Sequence, residues 1–157
     1  RTSLNAHIRA LRDIENPEPT TGDVVVCLRN SRTDHLYNGQ IGTIMSIEPS
    51  PDDPNNEWYW ADIYFDSEKS RYSGYVLREQ FGAKETIKQP PKAPGDSTGA
   101  LFDFGYALTV HKAQGSQAKQ VLLFEERFSK MSDEEWRRWL YTGVTRAEEL
   151  LTIVGLP

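Results

Sequence analysis

The sequence predicts an α/β protein in which a parallel-sheet domain is interrupted by a small β-barrel. Three stretches of the chain indicate this fold. Residues 24–28 are apolar on both faces, as in a strand buried within a parallel sheet. Residues 41–77 read as short strands separated by Pro, Asp and Asn clusters, which is typical of a small barrel. Beyond residue 100 the chain returns to a pattern of strands and a helix.

The first segment of the chain is predicted to be a short amphipathic helix. Leu4, Ile8 and Leu11 recur at helical spacing, so we expect them to form its apolar face, with Arg9 on another face. The Asn-Pro-Glu-Pro stretch at 16–19 ends the helix, because proline cannot continue it.

The barrel is predicted within residues 39–100. It follows Asn38-Gly39, a pair that predicts a turn because both residues tolerate positive φ. Its strands are expected at 41–47, 58–65 and 72–77. A stiff, proline-rich linker at 90–96 then leads back to the α/β part. The predicted division of the chain is therefore 1–38, 39–100 and 101–157.

The middle strand of this barrel has two different faces, because alternate side chains of a strand point in opposite directions. One set should line the barrel core: Tyr59, Ala61, Ile63 and Phe65. The other set forms a half-exposed aromatic face: Trp58, Trp60, Asp62 and Tyr64. This face either stacks on nucleic-acid bases or packs on a neighbouring domain. Packing is favoured, because the flanking acidic residues repel phosphates: Asp52, Asp53, Glu57 and Asp62.

The last third of the chain predicts an entry strand near Phe104, a strand at 121–124, a helix from about Asp133 and a strand at 151–154. Ser132 and Glu135 have the spacing of a capping box that starts the helix. Its buried stripe is expected to include Trp136, Trp139 or Leu140, Gly143 or Val144, and Ala147. Gly143 would let the helix pack closely on the sheet.

Composition sets limits on the class of protein. A chain of 157 residues with 38% apolar and 26% charged side chains is expected to fold as a soluble domain. No apolar run approaches the roughly 18 residues of a membrane span. The single cysteine, Cys27, excludes an internal disulfide and a Cys-based metal cluster, and fits the core of a cytosolic protein. The chain opens without Met, so we expect a piece of a longer protein.

Charge argues against one class of nucleic-acid binder. The net charge of −5 excludes attachment to nucleic acid through a global positive field, so any strand binding must use local donors. His7, His35 and His111 show no metal-ligand spacing, so no metal site is predicted.

Two segments carry candidate chemistry. Residues 139–147 place Arg146, whose planar guanidinium gives two parallel N–H bonds to a phosphate, on the polar edge of the last helix. The structural alternative is a surface arginine paired with Glu149 or Glu148. Within the segment 106–117, residues 109–117 read as a strand-to-helix junction whose free backbone N–H groups can hold an anion. In that segment, hydroxyl, imidazole and ammonium donors for strand phosphates come from Thr109, His111 and Lys112.

These two segments resemble the last two motifs of superfamily 1 helicases. The runs at 4–9, 22–30 and 37–43 are similar to the branch that includes the RecD and Dda helicases, which move 5′ to 3′. The resemblance implies a RecA-like 2A domain, discontinuous, with an SH3-like 2B insertion. It also implies that Arg146 is catalytic, as an arginine finger that reaches the γ-phosphate of ATP across a domain cleft.

Further site residues follow from the same resemblance. It places Gln114, Gly115 and Gln117 at the nucleotide. The DNA-binding residues that it implies are Thr109, His111, Lys112 and Asn38. Many relatives have Glu where this chain has Gln117, and the Gln117 amide oxygen can still accept a bond from the ribose.

The function implied is the C-terminal motor part of an ATP-dependent DNA helicase. Its expected partners are single-stranded DNA and an N-terminal RecA-like motor domain, with no membrane, in a bacterial or phage-type cytoplasmic protein. ATP and Mg²⁺ serve the full-length enzyme, whereas this chain alone should be inactive because it lacks G-x-x-x-x-G-K-[ST]. The alternative is a non-catalytic SH3-like interaction module attached to a degenerate motor remnant. A self-contained hydrolase is disfavoured, since no nucleophile–base or carboxylate pair is recognisable.

Overall fold

The computed structural model describes residues 2–125 and 127–155 and has two compact units, the first ending at Ala107 and the second starting at Leu108. The first unit contains one helix and five strands: α1 (Thr2–Ala10), β1 (Val24–Cys27), β2 (Ile41–Pro49), β3 (Trp58–Phe65), β4 (Ser70–Leu77) and β5 (Phe102–Phe104). Short 3-10 turns lie at Arg78–Gln80 and Pro94–Asp96. The second unit contains β6 (Ala118–Phe124), α2 (Asp133–Val144) and β7 (Ala147–Val154).

The five strands of the first unit form one antiparallel sheet in the order β4-β3-β2-β1-β5. The run at 24–28 does give a buried strand, with Val25, Val26 and Cys27 fully inaccessible. Its predicted parallel setting is wrong, because β1 pairs antiparallel with β2 on one side and β5 on the other. Burial on both faces determines the apolar composition of a strand but not the direction of its neighbours.

This sheet curls until its two edges meet at Ala100. The Ala100 N–H donates to the Tyr75 carbonyl at 2.8 Å, and the Leu77 N–H donates to the Ala100 carbonyl at 3.1 Å. Ala100 thus bridges β4, and the chain then enters β5, which pairs with β1. The result is a small barrel. Closure removes exposed sheet edges, which otherwise invite pairing with other chains.

The barrel core contains the inward face predicted for the middle strand. Tyr59, Ala61, Ile63 and Phe65 are at most 3% exposed, which confirms that prediction. Trp58, which the sequence predicts on the half-exposed face, is instead buried. Its ring packs against Gly99, where the absence of a side chain and a φ of 56° permit the close approach.

The barrel draws on strands from all three predicted segments of the chain. β1 precedes residue 39 and β5 follows residue 100, while β2, β3 and β4 lie between them. The linker predicted at 90–96 is folded, since Ala93 is buried and its N–H donates to the Ser97 carbonyl at 2.9 Å. The division at 38/39 and 100/101 and the SH3-like type of the barrel stay predictions.

The buried face of α1 is polar, contrary to the prediction from its leucines. Leu4 and Leu11 are 37% and 72% exposed, whereas Asn5 and Arg9 are 2% and 3% exposed. The Asn5 amide donates to the Phe104 carbonyl at 3.0 Å and its oxygen accepts from the Ala107 N–H at 2.6 Å. Polar groups can be buried when their hydrogen bonds are satisfied, so these bonds determine which face turns inward.

The Arg9–Asp23 ion pair anchors α1 to the start of β1. Arg9 Nε and Nη2 donate to the two carboxylate oxygens of Asp23 at 2.9 and 3.0 Å. Asp23, which is fully buried, also accepts from the Thr20 N–H and the Tyr106 hydroxyl, both at 2.8 Å. The guanidinium additionally lies 4.2 Å from the ring centre of Phe104.

The second unit is a β–α–β arrangement in which β6 and β7 pair in parallel. This agrees with the order of strand, helix and strand predicted for the last third of the chain. Ser132 caps α2, with its hydroxyl accepting from the Glu135 N–H and the Glu135 carboxylate accepting from the Ser132 N–H, so the capping box is confirmed. None of the helices among the described residues is long and apolar enough to cross a membrane.

Gly143 brings α2 close to β6, as predicted. It is buried, and a Cβ added there would lie 3.0 Å from both terminal methyl carbons of Leu123 and 3.5 Å from a methyl carbon of Val110. Any larger residue would have to displace Leu123, which is 6% exposed.

We predict that Asp23→Ala lowers the free energy of unfolding by about 3–5 kcal/mol, because it leaves the Arg9 guanidinium buried without a counter-charge. Urea unfolding followed by fluorescence measures this loss. Asp52→Ala, which removes an exposed carboxylate of the same unit, should change it by less than about 0.5 kcal/mol. Equal effects of the two variants would contradict the buried pair, and Arg9→Met with Asp23→Leu should recover part of the loss.

We predict that Gly143→Val lowers the free energy of unfolding by roughly 1–3 kcal/mol through overpacking against Leu123. Adding Leu123→Ala should restore part of the loss by making room. Tyr141→Val places the same side chain on an exposed position of the same helix and serves as the control. Close approach of α2 to β6 would be refuted if Gly143→Val were no more harmful than Tyr141→Val.

Candidate nucleotide and strand site

Arg146 lies between α2 and β7, rather than on the helix as predicted, because the helix ends at Val144. Its guanidinium is half-buried and makes three hydrogen bonds. Nε donates to the Thr142 carbonyl, Nη1 to the Ser116 carbonyl and Nη2 to the Thr145 hydroxyl, each at 2.9 Å. All three acceptors are neutral oxygens.

The predicted structural alternative, an ion pair between Arg146 and Glu149 or Glu148, does not occur among the described residues. Glu149 instead lies 3.9 Å from Lys119, in an exposed pair. A guanidinium has five N–H donors. With three engaged by the oxygens of Thr142, Ser116 and Thr145, one N–H on each terminal nitrogen has no acceptor among the residues that the structure describes. Those two donors are available to an anion such as a phosphate.

The two motif segments meet because the strands that follow them are parallel. β6 and β7 are aligned from Ala118 opposite Ala147, and the Ala118 N–H donates to the Arg146 carbonyl at 2.9 Å. The loop at 114–117 therefore enters the sheet beside Arg146. Gly115 has a φ of 93°, which favours glycine at this turn.

The predicted nucleotide residues Gln114, Gly115 and Gln117 all lie in this loop and are exposed. The loop leads into β6, so the predicted strand-to-helix junction at this point is wrong. A single helical turn precedes the loop, in which the Ala113 N–H donates to the Thr109 carbonyl at 3.0 Å. This single turn is too short to provide the anion-binding helix N-terminus that the sequence predicts.

Three of the predicted DNA-binding residues belong to the same turn. Thr109 and His111 are exposed and Lys112 is half-buried. The Thr109 hydroxyl accepts from the Lys112 N–H at 3.3 Å, so it also stabilises the turn. Asn38 belongs to the first unit, where it is exposed and its N–H donates to the Asn30 side-chain oxygen at 2.7 Å.

An open cleft of about 470 Å³ adjoins this turn in the second unit. His111 and Gln114 line one side and α2 the other, with Lys130 and Met131 contributed by the segment before α2. Sequence reasoning did not find this cleft. Lys130 and Arg138 had no motif to mark them, and Trp139 was assigned only to the buried stripe of the helix.

Within the described part of the chain, no group of three or more His, Cys, Asp or Glu side chains is placed to hold a metal ion. Burial raises the pKa of the Cys27 thiol to about 11. Cys27 therefore stays protonated at neutral pH and packs as a core residue.

Residues 104–154 match the UvrD-like helicase C-terminal domain. The chain is 27% identical over 163 residues to the ATP-dependent RecD2 DNA helicase of Deinococcus radiodurans, covering 97% of this chain and 18% of that protein. It is 35% identical over 86 residues to the RecBCD enzyme subunit RecD of Mycobacterium tuberculosis, covering 53% and 14%.

Two solved structures have a fold similar to that of this chain. The Pif1 helicase from Bacteroides in complex with ADP-AlF3 and ssDNA superposes with a TM-score of 0.54 at 16% identity, covering 99% of this chain and 37% of that chain. The Pif1 helicase from Candida albicans gives a TM-score of 0.52 at 14% identity, covering 96% and 36%.

This chain therefore spans less than a fifth of the curated relatives that it matches. Within that span, the match at 104–154 contains every predicted site residue except Asn38. The predicted resemblance is confirmed: residues 104–154 match the UvrD-like helicase C-terminal domain, and the chain is similar to RecD-type helicases.

Proposed function

We propose that this chain is the C-terminal motor part of an ATP-dependent DNA helicase or translocase. The observation that carries the proposal is the environment of Arg146, a cation held by three neutral oxygens beside the 114–117 loop. A cation held in this way keeps its charge available for an anion. The relationship to RecD-type helicases makes the γ-phosphate of ATP the anion of choice.

In the proposed reaction, ATP is bound by another domain of the whole protein, which also supplies the contacts to Mg²⁺ and the β- and γ-phosphates. Arg146 offers its two remaining N–H donors to the γ-phosphate and stabilises the charge that develops during transfer to water. Gln114, Gly115 and Gln117 contact the nucleotide. Gln117 provides an amide oxygen that can accept a bond from the ribose hydroxyl.

The strand is proposed to bind the exposed turn at 109–112. Thr109, His111 and Lys112 offer donors to backbone phosphates, and Asn38 is a further proposed contact. Because the chain has a net charge of −5, these local donors and not the overall field must hold the strand. The expected partners are single-stranded DNA and an N-terminal RecA-like domain, and the expected direction is 5′ to 3′.

The domain assignment belongs to the same proposal. Residues 1–38 and 101–157 would form the discontinuous 2A domain, and residues 39–100 would form the SH3-like 2B insertion. Strands β2, β3 and β4 of the barrel lie within 39–100 and support the placement of a small β-structure there. A cytoplasmic location is part of the proposal as well.

A second candidate is a protein-interaction module, and one observation favours it. Trp60 is 41% exposed on the barrel surface, and its ring lies 5.0 Å from that of Tyr75 in an edge-to-face pair. Exposed aromatic pairs are frequent in protein interfaces. Partner binding that is lost in Trp60→Ala, without any contribution of Arg146 to ATP hydrolysis, would favour this candidate.

We predict that the isolated chain hydrolyses no ATP, and that Arg146→Ala in the full-length protein lowers kcat about 10³–10⁵-fold with a much smaller change in ATP affinity. Steady-state ATPase assays with single-stranded DNA measure kcat, and equilibrium nucleotide binding measures affinity. Arg146→Lys should restore little, since a point charge cannot make the two parallel bonds.

The matched control is Arg137→Ala, which removes an exposed arginine from α2. It should leave kcat unchanged. Robust turnover by the 157-residue chain alone, or full activity of the Arg146→Ala protein, would overturn the proposed function.

A further inference from the structure

The cleft in the second unit combines cations with an apolar wall. Lys130 and Arg138 provide the cations, while Met131 and Trp139 are half-buried and provide the apolar surface. His111 marks the side of the cleft that adjoins the proposed strand turn. Its volume of about 470 Å³ falls within the range of small-ligand sites, roughly 300–1,000 Å³.

The cations are available to an anionic ligand. Arg138 is paired with Glu134 at 2.5 Å, but the two side chains are 78% and 75% exposed. Exposed pairs of this kind contribute little to stability, so a phosphate can replace Glu134 as the partner of Arg138.

One acidic side chain, Glu135, also lines the cleft. Its Oε2 accepts from the Ser132 N–H at 2.9 Å and from the Ser132 hydroxyl at 2.8 Å, and these bonds lower the pKa of the carboxyl. Glu135 therefore stays ionised and engaged with the helix start. Because Ser132 engages this carboxylate, Glu135 is not needed as the partner of Lys130 or Arg138.

The apolar wall suits a planar group. A tryptophan stacks on any nucleobase, because every base has a π-face, and the methionine beside it adapts to irregular shapes. A ligand that carries both a flat aromatic ring and a phosphate uses both parts of the cleft.

We propose that this cleft holds one nucleotide of the bound single strand, with its base against Trp139 and Met131 and its phosphate bound by Lys130 and Arg138. This inference rests on the proposed function and extends the strand site from the 109–112 turn onto α2. A free nucleotide shares the chemistry of the strand nucleotide. The test separates these two sources.

The test measures binding of a fluorescein-labelled thymidine oligonucleotide to the 157-residue chain by anisotropy across a series of salt concentrations. Arg138→Ala and Lys130→Ala should each reduce the magnitude of the slope of log K against log salt by about 0.7, the value for one phosphate contact on a single strand. Trp139→Leu should weaken binding about tenfold without changing that slope, because stacking involves no charge.

Arg137→Ala is the matched control, since it removes the neighbouring exposed arginine that does not line the cleft. It should leave the slope at the wild-type value. Circular dichroism of each variant confirms that the helix is retained. Unlabelled thymidine monophosphate, at the same nucleotide concentration, should not displace the oligonucleotide, and displacement would overturn the assignment to the strand.

His111→Ala separates failure of this inference from failure of the proposed function. If His111→Ala weakens binding while Arg138→Ala, Lys130→Ala and Trp139→Leu bind like the wild type, the cleft assignment is overturned and the strand site of the proposed function stands. If the wild-type chain binds no oligonucleotide at any salt concentration, both are overturned.

Discussion

The carbonyl oxygens of Ser116 and Thr142 are the acceptors on which the arrangement around Arg146 depends. They belong to segments 26 positions apart in the chain, the loop before β6 and the last turn of α2. The parallel pairing of β6 and β7 brings these two segments together. Gly143 allows α2 to pack closely on Leu123 of β6, and this packing holds the last turn of α2 beside the sheet. Packing of the β–α–β unit thus orients the guanidinium.

The choice of acceptors has an electrostatic consequence. A carboxylate partner would neutralise Arg146, whereas carbonyl and hydroxyl oxygens orient it and leave its charge uncompensated. The first unit shows the opposite solution, where Arg9 meets the buried carboxylate of Asp23 and serves stability. The two arginines differ in the charge of their partners. A carboxylate partner makes Arg9 part of a stabilising ion pair, whereas neutral partners leave the charge of Arg146 available to a ligand.

Features coded by neighbouring residues could be predicted from the sequence. The Ser132–Glu135 capping box, the alternating inward face of β3 and the close approach at Gly143 each depend on local spacing. The motif residues around Arg146 were found by resemblance, and the structure brings 114–117 beside that arginine.

Features that depend on contacts between residues far apart in the chain could not be predicted from the sequence. The leucines of α1 suggested an apolar buried face. Arg9 is buried instead because it binds Asp23, a partner 14 residues further along the chain. The apolar run of β1 does not reveal that both of its neighbours are antiparallel. Trp58 is buried by Gly99, far along the chain, and the cleft beside α2 arises from segments without a sequence signature.

Whether neutral oxygens hold the Arg146 guanidinium can be measured in the isolated chain by ¹⁵N-edited NMR of arginine side chains, with Arg146→Lys to assign its signals. We expect the Nε–H signal to be protected from exchange and to keep its chemical shift in Glu148→Gln and Glu149→Gln. A shift of the Arg146 signals on removal of either carboxylate would show an ion pair and would refute this arrangement.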